Sequence, residues 1–135
     1  MKPNIGVIFG GMSVEHEVSI ISGLQTLHAL DKRKYNGVPI YISKQGNWYY
    51  GDALAEIANY DNIPDLIAQV EQVIPYGEQQ QLLLKPIQSK LFKAKILQSI
   101  DVVIPVIHGT HGEDGSLQGM LEMFNVPYSG CDISA

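Results

Sequence analysis

Residues 5–19, IGVIFGGMSVEHEVS, decide the fold class of this chain. The continuous apolar run over residues 5–9 is typical of a strand buried on both faces, and Gly10-Gly11 ends it. Ser13 is a candidate N-cap for a helix that continues to about Leu30. The apolar residues of this predicted helix recur at three- and four-residue spacing: Val14, Val18, Ile21, Leu24 and Leu27. The segment therefore predicts a strand, a glycine-rich turn and a helix.

Two further segments are typical of strands. Residues 38–42 indicate a second short strand, which completes a βαβ unit, and residues 45–47 indicate a turn before an edge hairpin strand at 48–50. Residues 101–107, DVVIPVI, form another apolar run, in which Pro105 lacks an amide donor and so favours an edge or strand-end position.

A second helix is expected after residue 108, followed by a short strand at 126–128. Its apolar residues have helical spacing: Leu117, Met120, Leu121 and Phe124. Asn125 is placed to end it.

The pattern is weaker between residues 51 and 100. Helical character is expected at residues 53–58 and 65–74, with Pro64 at a helix start. Residues 79–86 are compatible with a strand or with a docked surface segment, and the sequence alone leaves both readings open.

Composition narrows the class of protein. The 135 residues and 45% hydrophobic content suit a single packed domain, and the net charge of -5 without clustered Lys and Arg argues against a nucleic-acid partner. The apolar stretch before Gly10 is too short to span a bilayer and lacks a signal-peptide cleavage pattern, so we expect no membrane association. Cys131 is the only cysteine, which fits a reducing, cytoplasmic compartment and a structural thiol.

The glycine turn is the first candidate site. Its sequence matches neither the dinucleotide fingerprint nor the phosphate-loop motif, although backbone amides of Gly10 and Gly11 at such a turn can face an anion. Glu15 in the first helical turn can accept hydrogen bonds from a substrate ammonium, but from this feature alone helix-dipole complementarity, shared with Glu17, is the simpler explanation. We expect His16 to be an exposed residue at the helix start.

The second candidate site is the glycine-rich segment 108–119, HGTHGEDGSLQG. So many glycines cost conformational entropy on folding, and they are expected where the backbone takes unusual angles or approaches a ligand. His108 directly follows a predicted strand and is the best candidate for a substrate contact, whereas Asp114 is a candidate helix cap. The His and acidic residues fit no common zinc spacing, so we rank a metal site low.

Taken together, the two segments resemble one family. HGTHGEDGSLQG matches, with no mismatch, the H-G-x-x-G-E-D-G-x-[aliphatic]-Q-G signature of D-alanine:D-alanine ligases, and FGGMSVEHEVS is similar to the G-G-x-S-x-E-x-x-V-S segment of the same family. The resemblance is dense at residues 4–30 and 101–131. It implies an α/β fold: a Rossmann-like three-layer domain with a mainly parallel sheet, spanning residues 1–135 and preceding two ATP-grasp domains that lie outside this chain.

The resemblance also implies an activity. In these ligases ATP phosphorylates the carboxylate of a first D-alanine, and the amine of a second D-alanine then attacks to form the dipeptide used in peptidoglycan synthesis, cell-wall biogenesis and cell shape. By the same resemblance, Glu15 would hold the ammonium of the first D-alanine, Val18 would lie beside its methyl group, and His108 would contact the substrate region. ATP and Mg²⁺ (or Mn²⁺) would be bound by the absent domains, and the complete enzyme would be a homodimer.

Three alternatives stay open at this point. The domain could be a non-catalytic small-molecule binding module, or part of a D-alanine:D-serine or D-alanine:D-lactate ligase, because residues that select the second substrate are expected beyond residue 135. The third, another ATP-grasp ligase, would share the glycine turn but should lack the HGxxGEDG loop, and that loop is present here at residues 108–115.

Overall fold

A seven-stranded sheet organises the part of the chain that the structure describes. The structure is a computed structural model that describes residues 1–12, 14–87, 95–107, 113–123 and 125–128, without the side chains of 113–116 and 118. The strands are β1 (Asn4–Gly10), β2 (Asn36–Ile42), β3 (Trp48–Tyr50), β4 (Glu71–Glu78), β5 (Gln81–Pro86), β6 (Gln98–Ile100) and β7 (Val102–Val106). The helices are α1 (His16–Ala29), α2 (Ile63–Ala68) and α3 (Glu113–Met123), with 3-10 helices at Asp52–Ala55 and Ile57–Asp61.

Helices pack on both faces of this sheet. Because successive strand residues point to opposite faces, Val7 and Phe9 of β1 join one core cluster and Ile8 joins the other. The first cluster is covered by α1 and by the segment with the 3-10 helices and α2, and the second includes Leu117 and Leu121 of α3. The predicted α/β class and its three layers are confirmed.

The sheet is mixed, in the order β6-β5-β4-β3-β2-β1-β7. The strands that carry the candidate site are parallel, as predicted: β1 lies between β2 and β7 and pairs in parallel with both. Strands β3 to β6 are antiparallel. For β2–β3 and β4–β5 the cause is the length of the connection, because residues 43–47 and the two-residue turn Gln79-Gln80 are too short for the crossover that parallel strands need. The expectation of a mainly parallel sheet therefore holds only for the site-bearing part.

Several sequence predictions are confirmed at the level of single elements. β7 lies at the end of the sheet order, as Pro105 indicates, and Tyr128 forms one parallel bridge with Val103. α3 ends at Met123, and Asn125 adopts the left-handed conformation with φ 62° after it. Pro64 lies in the first turn of α2.

Other predictions are wrong. β3 forms the predicted hairpin with β2 but is not an edge strand, because β4 pairs with its other side. The helix expected over residues 65–74 ends at Ala68, since residues from Glu71 onward pair with β3 and the pairing outweighs local helix preference. Residues 53–58 fall in two 3-10 helices rather than in one α-helix.

Leu24 and Leu27 are buried as predicted, but the rest of the buried face of α1 differs from the predicted one. Val14, Val18 and Ile21 are 93%, 51% and 51% exposed, respectively. The buried positions follow the same three- and four-residue spacing in another register: His16, Ser19, Ile20, Gly23, Leu24 and Leu27. Two polar side chains and a glycine lie on this face, which is why hydrophobicity alone indicated the wrong residues in the first half of the helix.

Candidate active site

The carboxyl ends of β1, β2 and β7 meet at one edge of the sheet. Gly10 lies opposite Ile42 of β2, and Phe9 lies opposite Val106 of β7. The glycine turn, the turn after β2 and the chain leaving β7 therefore start at the same edge. In open α/β sheets this edge, beside a change in strand order, is the usual ligand site.

Gly10 and Gly11 shape the turn between β1 and α1. Both have positive φ values, 98° and 97°, which side chains with a Cβ rarely adopt. At Gly10, a Cβ would also collide with the carbonyl oxygen of Ile42. The Gly10 amide donates to Ser19 Oγ over 2.8 Å, and the Gly11 amide donates to the Ile42 carbonyl over 2.8 Å. Because both amides are used within the protein, the anion-facing donors expected of these two glycines are not available.

Ser19 ties α1 to two strands. Its side chain is fully buried, and its Oγ accepts from the Gly10 amide while donating to the carbonyl oxygen of Val106. One hydroxyl therefore satisfies a donor of β1 and an acceptor of β7, at the level where the candidate site begins.

His16 is buried, contrary to the expectation of an exposed helix-start histidine. It is 2% exposed, its Nδ1 lies 2.5 Å from the Gly11 carbonyl oxygen, and its Nε2 lies 2.8 Å from the Tyr41 hydroxyl. The two rings meet edge to face, with centroids 5.4 Å apart. These hydrogen bonds offset the free-energy cost of burying a polar ring. His28, near the other end of α1, is exposed.

Tyr41 belongs to an aromatic cluster beneath α1. It contacts Phe9, His16, Tyr49 and Tyr60, with ring centroids 5.4–6.1 Å apart. Burial, with a smaller contribution from Tyr49, raises the pKa of the Tyr41 hydroxyl to about 12. Burial and then the neighbouring Tyr41 raise the pKa of Tyr60 above its usual value. Both hydroxyls therefore resist ionisation more than an exposed tyrosine does, and that of Tyr60 donates to the Leu54 carbonyl over 2.7 Å.

Glu15 and Val18 lie on the opposite, exposed side of the start of α1. Glu15 occupies the N-cap position, but its side chain makes no capping hydrogen bond, and its carbonyl accepts from the Ser19 amide over 3.0 Å. Val18 is 51% exposed. Glu17, also exposed, lies 3.9 Å from Lys44 in the turn after β2. The structure thus places a carboxylate and a small apolar side chain next to each other, beside the glycine turn.

A cavity of about 640 Å³ lies on the other side of the His16–Tyr41 pair, between α1 and the segment from Ile57 to Ile67. Glu15 and Val18 are not among its lining residues. The cavity and the exposed Glu15–Val18 surface are therefore separate features.

His108, the predicted substrate contact, lies outside the described part of the chain, as do residues 109–112 of the glycine-rich segment, including His111. The N-cap candidate Ser13 and the thiol Cys131 also lie outside it. The strand that precedes the glycine-rich segment ends beside the candidate site: β7 ends at Val106, whose carbonyl oxygen accepts from Ser19 Oγ. Asp114 is the second residue of α3 and so does not occupy the N-cap position expected for it. No group of three or more His, Cys, Asp or Glu placed for a metal ion occurs among the described residues.

Comparison with known proteins decides the family. The model of the D-ala D-ala ligase N-terminus matches residues 4–131. The chain belongs to this family. It is 43% identical over 130 residues to a D-alanine–D-alanine ligase of Thermosipho melanesiensis, covering 96% of this chain and 34% of that protein. It is 36% identical over 138 residues to D-alanine–D-alanine ligase A of Escherichia coli, covering 99% of this chain and 36% of that protein.

Solved ligase structures share this fold. The VanG D-Ala:D-Ser ligase from Enterococcus faecalis superposes with a TM-score of 0.74 at 30% identity, covering 98% of this chain and 36% of that chain. The D-alanine-D-alanine ligase from Coxiella burnetii superposes with a TM-score of 0.72 at 36% identity, covering 94% and 34%. The chain thus spans about a third of the length of these ligases.

Sequence reasoning missed three residues of this edge: His16, Ser19 and Tyr41. Ser19 is a fixed position of the family segment but was not predicted to be buried, and neither was His16, because polar residues on the buried face of a helix resemble solvent-facing ones. A usable signal was present, since both fall in one helical register with Ile20, Leu24 and Leu27. For Tyr41, nothing local in β2 indicates a partner on α1.

Among the described residues, no helix has the length and apolar character needed to cross a membrane.

Proposed function

We propose that this chain is the amino-terminal domain of an ATP-dependent D-alanine:D-alanine ligase and that it supplies the first-substrate side of the active site. The observation that carries the proposal is the Glu15–Val18 pair on the exposed start of α1, in a domain of the ligase family. The reaction would form the D-alanyl-D-alanine used in peptidoglycan synthesis, in the cytoplasm.

Glu15 would bind and orient the first D-alanine. Its carboxylate would accept hydrogen bonds from the substrate ammonium, a charge-assisted contact worth about 1.5–3 kcal/mol. Val18, one helical turn further on the same exposed side, would contact the methyl group. Gly10 and Gly11 would act by shaping the turn that sets the start of α1. His108, which follows β7, would contact the substrate from the neighbouring segment.

Orientation is the contribution expected from this domain. Fixing the carboxylate of the first substrate in line for phosphoryl transfer can supply up to roughly 7–11 kcal/mol in ideal cases. By the same family resemblance, we assign ATP and Mg²⁺ (or Mn²⁺) to the remaining part of the ligase. When bound there, ATP supplies the phosphoryl group that activates the substrate carboxylate.

The full-length protein tests this proposal. Incubation with ATP, Mg²⁺ and D-alanine is expected to yield D-alanyl-D-alanine and inorganic phosphate in equal amounts, and the 135-residue chain alone is expected to release no phosphate. D-alanine binding without dipeptide would instead identify a binding module. A parallel incubation with equimolar D-serine or D-lactate identifies the second substrate, and preferential formation of a mixed product would overturn the D-alanine assignment.

A further inference from the structure

We propose that His16, together with Tyr41, is a positioning residue that fixes the glycine turn and thereby holds Glu15 where the first substrate binds. This inference rests on the proposed function. The residues lie back to back on α1: Glu15 is exposed beside the turn, and His16, the next residue, is buried and bonded to the turn itself.

The hydrogen-bond partners of His16 determine which tautomer its neutral imidazole adopts. The carbonyl oxygen of Gly11 can only accept, so the hydrogen must lie on Nδ1 of His16. In the neutral ring Nε2 then accepts, and the Tyr41 hydroxyl donates to it over 2.8 Å. The result is one directed chain of hydrogen bonds from Tyr41 through His16 to Gly11.

This series of hydrogen bonds fixes the backbone at Gly11, which as a glycine is otherwise conformationally free. Gly11 has a positive φ of 97°, its amide is bonded to Ile42, and its carbonyl is bonded to His16. Gly11 is therefore held on both sides, by β2 and by α1. Because Tyr41 is itself a residue of β2, the same strand supports both bonds. Loss of the hydrogen bond from His16 to Gly11 would let the glycine turn and the start of α1 move relative to β2.

Matched tyrosine variants separate positioning from mere stability. Tyr41→Phe in the full-length ligase removes the hydroxyl that orients His16. Tyr60→Phe removes a hydroxyl of the same aromatic cluster, which donates to the Leu54 carbonyl over 2.7 Å and does not contact the turn. Both variants are expected to lower Tm. Only Tyr41→Phe is expected to raise the KM for the first D-alanine, by about three- to tenfold, with the KM for ATP unchanged, because a small displacement of a binding group lowers affinity.

A conservative replacement of His16 provides rescue. The side-chain amide of His16→Gln can donate to the Gly11 carbonyl and accept from the Tyr41 hydroxyl, whereas His16→Leu can do neither. We expect the first D-alanine KM of His16→Gln to lie within about threefold of wild type and that of His16→Leu to rise at least tenfold. If His16→Leu does not fold, the two tyrosine variants and His16→Gln still distinguish a positioning role from a purely stabilising one.

The ring nitrogens give a direct readout. In ¹⁵N-histidine-labelled protein, with the His16 signals assigned from His16→Gln, the nitrogen shifts should report hydrogen on Nδ1. Hydrogen on Nε2 would overturn the proposed chain of bonds, as would a Tyr41→Phe variant with the same KM as Tyr60→Phe. Failure of the proposed function is distinguishable, because the wild-type protein would then form no dipeptide. An active wild type with a defective Glu15→Gln but a normal Tyr41→Phe would overturn this inference alone.

Discussion

Ser19→Ala is the substitution whose cost follows most directly from the structure. The variant removes one hydroxyl and deprives two buried backbone groups of their partner, the Gly10 amide and the Val106 carbonyl. A buried polar group left unsatisfied costs about 1–3 kcal/mol. Ser19 is fully buried, so water has little access, and we expect the free energy of unfolding to fall by about 2–4 kcal/mol.

Chemical denaturation of the chain, followed by circular dichroism, measures this loss. The matched control is Thr26→Ala in the same helix, because Thr26 Oγ1 donates only to the Ser22 carbonyl one turn back. That variant is expected to lose less than about 1 kcal/mol. If Ser19→Ala loses no more than Thr26→Ala, the account of Ser19 as the link between β1 and β7 is refuted.

Three further predictions concern the turn, the aromatic cluster and a hairpin. Gly10→Ala should abolish stable folding, seen as loss of a cooperative thermal transition, because its Cβ would strike Ile42 at an unfavourable φ of 98°. The raised pKa of Tyr41 favours the protonated hydroxyl in the folded state, so its contribution is complete below pH 10 and is lost as pH rises through about 12. By pH 12 wild type should lose roughly 2 kcal/mol more than Tyr41→Phe in denaturation measurements, and equal losses would contradict the burial of that hydroxyl. Gln79 and Gln80 have φ values of 52° and 65°, so Gln79→Asn with Gln80→Gly should raise stability by about 1 kcal/mol in the same assay; no gain would argue against that turn geometry.

The part of the fold that the sequence predicts well is the part with unambiguous local signals. β1 has a continuous apolar run and the glycines end it, so the βαβ unit follows from residues that are adjacent in the chain. The strands after residue 70 have weaker patterns. β4 is half-exposed along its length and is fixed by pairing with β3 and β5, which local sequence does not encode.

The candidate site divides in the same way. Glu15, Val18 and the glycine pair could be found from motif and position, because they lie within nine residues of one another. The supporting roles of His16, Ser19 and Tyr41 become recognisable only when α1 is docked on the sheet, because each acts through a partner on another element. Polar residues on a buried helix face are therefore the features that require three-dimensional information here.

The central claim concerns Glu15, and steady-state kinetics of the full-length ligase test it most directly. Glu15→Gln keeps the shape of the side chain and removes its charge, and Glu17→Gln makes the same change two residues away, where the carboxylate lies near Lys44. The account predicts that Glu15→Gln raises the KM for the first D-alanine about tenfold or more and lowers turnover, with the KM for ATP unchanged, while Glu17→Gln behaves as wild type. Wild-type kinetics for Glu15→Gln would contradict the account.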